Sequence, residues 1–119
     1  MEYILKQIGD HTYIDCLENC QIEDERAALD VVAICSEEGT DRVMLHSGNL
    51  PDSFFKLSTG LAGNVLLKFY NYSIIAAAVL TPEQVNQGKF YDFALETNRG
   101  NQFRIFFNRQ EAEKWLTSD

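Results

Sequence analysis

The sequence predicts one α/β domain built on a mixed β-sheet with helices, in the order β-β-α-β-α-β-α-β-α. Three observations carry that prediction. Two short runs rich in aromatic and β-branched residues, Tyr3 to Ile8 and Thr12 to Cys16, flank the turn signal Gly9-Asp10, which is the pattern of an antiparallel hairpin. Beyond them, segments with apolar residues at helical spacing alternate with compact apolar runs, the pattern of right-handed strand–helix–strand crossovers and hence of parallel pairing. The run Ile74 to Leu80 is apolar throughout, as suits a strand covered on both faces.

Taken in order, Asp24 to Glu37 forms the first helix, with Ala28, Leu29, Val32 and Cys35 on one face, acidic residues at its start and Gly39 as its stop. Arg42 to His46 is a buried strand. The loop Ser47-Gly48-Asn49-Leu50 leads to Pro51, which suits the first turn of a short helix through Lys56. Ser58 to Tyr70 forms the next helix on a stripe of Leu61, Ala62, Val65, Leu66 and Phe69, with Asn71 as its stop. After the strand at 74–80, Thr81-Pro82-Glu83-Gln84 is a capping box that must open a helix. Gly88 interrupts that helix, and Phe90, Phe93, Ala94 and Thr97 resume the spacing until Asn98-Arg99-Gly100. Phe103 to Phe107 is the last strand, and Asn108-Arg109-Gln110-Glu111 opens a closing helix that lays Ala112, Trp115 and Leu116 on the domain.

Composition bounds the function. A length of 119 residues suits one core. The longest apolar run falls far short of the roughly 20 residues a membrane span needs, and Met1-Glu2-Tyr3-Ile4-Leu5-Lys6 lacks the basic lead of a signal peptide, so residence in the cytoplasm is expected. A net charge of −8 with scattered basic residues disfavours nucleic acid and anionic membranes as partners. Three cysteines, Cys16, Cys20 and Cys35, with no Cys-x-x-Cys spacing read as reduced thiols. Neither His11 nor His46 stands at metal-ligand spacing from another ligand, so neither a metal nor another cofactor is expected. A protein partner or a homo-oligomer stays open.

Two blocks, Phe54-Phe-Lys-Leu-Ser-Thr-Gly-Leu-Ala-Gly63 and Glu96-Thr-Asn-Arg-Gly100, make the chain resemble a bacterial family known as domain of unknown function 4180. The resemblance runs over nearly the whole chain and implies a fold without an activity. More distantly, the strand–helix order is similar to the STAS group, the anti-sigma factor antagonist and SpoIIAA-like domains. That similarity implies a STAS-like fold and a serine, phosphorylated by a partner kinase, that switches partner binding. By position the serine is Ser53, with Ser58 second. Here Asp52-Ser53 is followed by Phe54-Phe55 rather than by a small residue, a departure from the STAS pattern. On the switch reading one phenylalanine anchors in the core and the other forms the contact surface.

Two loop clusters are candidate sites. The strand C-terminal edge should gather His46, Asn49, Ser53, Ser58, Thr59 and the Thr81 loop, where backbone N–H groups near Ser58-Thr59-Gly60 suit an oxyanion. The structural alternative makes Ser58 a helix cap, Asn49 a turn residue and His46 a strand-end residue. The opposite edge should hold Glu96, Asn98 and Arg99, either as a guanidinium fork for an anion or as a helix end with Gly100 in the left-handed conformation. No Gly-x-Ser-x-Gly elbow and no phosphate-binding glycine loop is present, so an enzyme is disfavoured. The expected function is a non-enzymatic regulatory or protein-interaction module. The alternative is a small-molecule or anion-binding protein, or an enzyme, using the edge near His46, Asn49 and Thr59.

Overall fold

The computed structural model describes residues 1–118. The elements are β1 (Tyr3–Ile8), β2 (His11–Cys16), α1 (Glu25–Glu38), β3 (Arg42–His46), α2 (Leu61–Asn71), β4 (Ile75–Val79), α3 (Pro82–Val85), α4 (Lys89–Thr97), β5 (Phe103–Phe106) and α5 (Arg109–Leu116). Short 3-10 turns at Ser47–Asn49, Asp52–Phe55 and Leu57–Thr59 link β3 to α2. Among the described residues the strands form one sheet in the order β1-β2-β3-β4-β5. The hairpin β1–β2 is antiparallel, and β2–β3, β3–β4 and β4–β5 are parallel.

This order determines where the core lies. Three successive crossovers step in one direction across the sheet, and right-handed crossovers of that kind place their helices on one face. Residues of α1, α2 and α4 accordingly share a large core with Ile14, Val43, Leu45, Ala76, Ala78 and Phe103. The opposite face is covered by α5, where Ala112 and Leu116 bury Tyr13, Met44 and Ala77. Helix α5 packs most closely over β3, β4 and β5, and Tyr13 and Asp15 of β2 reach its flank through Glu113 and Arg109.

Several local expectations shift. In α1 the buried face is Ala27, Ala28, Val31 and Cys35, and Leu29 is exposed, so the stripe is rotated from the expected one. Asp24 caps this helix through Ala27 N–H at 2.9 Å. Helix α2 begins at Leu61 rather than Ser58, because Gly60 turns left-handed at φ +79 and closes the preceding 3-10 turn. Ser58 therefore does not cap the helix; the N-cap is Gly60, without a side-chain bond. Pro51 precedes a 3-10 turn instead of opening an α-helix. The interruption expected at Gly88 separates α3 from α4. Strand β4 is interior, with Ala76, Ala77 and Ala78 fully buried, as its apolar run requires.

Candidate functional site

The parallel strands β2 and β3 end side by side, with Asp15 paired to Met44. Alternation along β2 puts Tyr13 and Asp15 on the α5 face and Ile14 and Cys16 in the main core. His46, two residues beyond Met44, shares the Asp15 face. The first residue of α5, Arg109, arrives from the other side. Asp15 is 4% exposed, and its two oxygens take separate partners: Oδ1 lies 2.7 Å from His46 Nε2, and Oδ2 accepts from Arg109 Nη2 at 2.7 Å. The side chains of His46 and Arg109 remain 32% and 38% exposed. A buried carboxylate thus holds two nitrogen-bearing side chains at a surface.

The electrostatics follow from this geometry. Burial works to raise the Asp15 pKa, but the hydrogen bonds and charges of His46 and Arg109 outweigh it and hold the carboxyl below its usual range. The Asp15 hydrogen bond in turn raises Arg109. Tyr13 is pushed up by burial and by its hydrogen bond to the Glu113 carboxylate, so it stays a phenol. Arg109 Nη2 also lies 3.4 Å from the Tyr13 hydroxyl, which joins Asp15, Arg109, Tyr13 and Glu113 into one chain.

A cleft of about 420 Å³ opens on this group, lined by Asp15, Leu17, Glu18, His46, Ser47 and Arg109 among others. Its wall is fixed by Asn49, which is 1% exposed. The Asn49 Oδ1 accepts from His46 N–H at 2.7 Å and its Nδ2 donates to Leu17 O at 2.8 Å, tying the end of β3 to the end of β2. Cys16 also borders the cleft, but its thiol is pushed up by a hydrogen bond with Cys20 and by burial, which leaves it a poor nucleophile. Among the described residues no group of three or more His, Cys, Asp or Glu side chains is placed to hold a metal. The arrangement is suited to hydrogen-bonding a small polar ligand.

The other candidates fall elsewhere. Phe54 and Phe55 are both buried, and both rings pack against Phe90, so neither offers a contact surface. Ser53 is half-buried in a hollow shared with Glu23, Asp24, Glu25 and Thr59. Thr59 Oγ1 lies 2.7 Å from Ser53 O and 2.8 Å from Lys56 O, which ties that hydroxyl to the turn, while Ser58 is exposed. At the opposite edge Arg99 pairs with Glu96 at 3.4 Å, both side chains more than three-quarters exposed. Gly100 is not at positive φ, contrary to expectation. The turn is held instead by Arg104, which donates to Gly100 O at 2.7 Å and to Asn101 Oδ1 at 2.9 Å. Asn98 accepts from Ile105 N–H at 2.7 Å and donates to Ile105 O at 3.2 Å.

Of the sequence candidates, the cleft thus unites His46 and Asn49 and leaves out Ser53, Ser58 and Thr59. It also contains two residues that sequence reasoning missed, Asp15 and Arg109. The available signal was a carboxylate within a strand of otherwise buried residues, Tyr13-Ile14-Asp15-Cys16. A separate apolar groove of about 450 Å³ lies between α2 and α4, lined by Leu66, Phe69, Ile74, Phe93 and Phe103 among others. No helix among the described residues is long and apolar enough to cross a membrane. No curated protein and no solved structure gives a match to this chain. A family does match, over residues 9–116, and the chain belongs to it: Domain of unknown function (DUF4180).

Proposed function

We propose that the protein binds a small anionic molecule, one carrying a carboxylate or phosphate, in the cleft at the ends of β2 and β3. The observation that carries this reading is Asp15, whose buried carboxylate positions His46 and Arg109 at 2.7 Å each while leaving both partly exposed to the cleft. A guanidinium held in this way loses little freedom on gripping an anion, which favours binding by preorganisation. The position also agrees with the tendency of parallel sheets to bind ligands beyond strand C-termini. Binding without chemistry is favoured because the nearest thiol, Cys16, is held protonated and Asp15 is committed to its two partners.

A STAS-like phospho-switch at Ser53 is the second reading, and the half-exposure of Ser53 in an open hollow favours it. Against it stand the acidic residues around Ser53, which would repel a phosphate carrying about −1.5 to −2 charges. The burial of both Phe54 and Phe55 also removes the surface that such a switch would control.

A heteronuclear NMR titration with inorganic phosphate and with citrate tests the proposal. We expect amide shifts confined to residues 16–18, 46–49 and 108–110, and their loss in Arg109→Gln while the remaining spectrum is unchanged. No shift with either probe at about 10 mM, an affinity too weak to act on, overturns it.

A further inference from the structure

We infer that β1 is a self-association edge, through which two copies of this chain join their sheets antiparallel about a two-fold axis at Ile4. Among the described residues no strand of the sheet lies beyond β1. The backbone pattern shows which groups this leaves on the outer side. Leu17 N–H donates to Glu2 O at 3.0 Å, so Glu2 is a hydrogen-bonded partner of the β2 side. Alternation along the antiparallel ladder then directs the N–H and C=O of Ile4, Lys6 and Ile8 inward, and those of Tyr3, Leu5 and Gln7 outward. The same strand exposes Ile4, Leu5 and Ile8 at 42–45% each. A six-residue edge with these apolar side chains is a template for another strand.

Charge selects the occupant and the register. The outward groups at Tyr3, Leu5 and Gln7 allow a two-fold partner to pair odd residues with odd ones. Centring the axis on Ile4 sets Tyr3 opposite the second copy's Leu5 and Glu2 opposite its Lys6, and symmetry repeats both pairs. Two cross-strand ion pairs and an Ile4–Ile4 contact then share the α5 face. Moving the axis to Leu5 sets Lys6 against Ile4 and Glu2 against Ile8, and moving it to Lys6 sets like charges together. The charge pattern of this strand therefore matches a second copy of itself in one register.

The far edge of the sheet is different. There the outward N–H and C=O of Ile105 are both taken by the Asn98 side chain, which occupies the place of a further strand. One edge is blocked by its own chain, and the other carries a self-complementary pattern.

Strand pairing buries less area than a standard stable interface, so the expected dimer is weak, with a dissociation constant of about 100 μM. Sedimentation of the wild type up to about 1 mM should show a monomer–dimer equilibrium, and Glu2→Lys or Lys6→Glu should each weaken it about tenfold. The double variant, Glu2→Lys with Lys6→Glu, should restore it. In the proposed register Ile4 is a non-hydrogen-bonded pair, close enough for Ile4→Cys to form a disulfide across the axis on oxidation by oxidised glutathione, and Ile8→Cys should not. Circular dichroism shows whether each variant keeps the fold. A wild type that stays monomeric throughout, or single charge variants that dimerise as well as the wild type, would overturn the inference.

Discussion

Arg109 and Arg99 each stand at a helix end with a carboxylate in reach, and the two sites differ in where that carboxylate lies. Asp15 is inside the sheet, 4% exposed, and it binds Arg109 at 2.7 Å while also holding His46. Glu96 is on the surface of α4, and its contact with Arg99 is 3.4 Å long with side-chain exposures of 76% and 78%. In high dielectric the second pair gains little and must restrain two long side chains, whereas a buried carboxylate cannot be left without partners. The chemistry of an arginine is set by the burial of its counter-charge. Motif density is a poor guide to this: Glu-x-Asn-Arg-Gly looks more like a site than the isolated Asp15 does.

The sharpest test of that difference is Asp15→Ala. It removes the carboxylate that His46 and Arg109 share, and with Arg109 and His46 still able to hydrate we expect a loss of about 2 to 3 kcal/mol in chemical denaturation. The pH dependence supplies a second readout. The folded-state pKa of Asp15 is lowered, so its contribution is complete above the unfolded carboxyl value of about 3.9 and is lost as pH falls through the lower folded value. Urea midpoints for wild type and Asp15→Asn should therefore lie apart near pH 5 and converge below about pH 4. A gap independent of pH would show that Asp15 acts through packing instead of charge.

The sheet was legible because periodicity reports burial directly. Ile74 to Leu80 could only be a covered strand or a short buried helix, and its length decided between them. The hairpin and the Thr81 capping box were legible from local chemistry, since Thr81 Oγ1 accepts from Gln84 N–H and Gln84 Oε1 accepts from Thr81 N–H as their spacing requires. The cleft was not, because Asp15, His46 and Arg109 lie 31 and 94 residues apart and meet through strand register and the seating of α5. No local pattern encodes a contact of that span. Helix α2 was misread at its start because Ser58-Thr59 satisfies the cap preference, while the left-handed Gly60 that ends the turn is a backbone property.

Between the two extremes lies Asn98, in the same motif as Arg99 but bonded at both ends of its amide to Ile105. Asn98→Ala removes those bonds from an edge strand whose groups can turn to water, so the expected loss is about 1 kcal/mol. Exposing the β5 edge should also raise concentration-dependent light scattering above that of wild type. If stability falls while scattering does not change, Asn98 stabilises the turn without guarding the edge.

Arg99→Ala should have the smallest effect. The guanidinium's contact is an exposed pair between Glu96 on α4 and Arg99 just beyond its end, and such surface pairs contribute about 0.2 to 0.5 kcal/mol. Its position near the end of α4 adds a helix-dipole term that salt screens. Arg104, and not Arg99, carries the hydrogen bonds that fix the turn at Gly100 and Asn101. Removing Arg99 should therefore lower the denaturation midpoint by less than the wild type shifts between low and high salt, whereas Arg104→Ala should lower it by more. The two variants are best compared at about 0.05 M and 1 M salt, because the Debye length falls from above 10 Å to about 3 Å over that range. A loss at Arg99 as large as that at Asp15, or one that salt leaves untouched, would mean that the exposed arginine is engaged as strongly as the buried pair and would remove the distinction between the two sites.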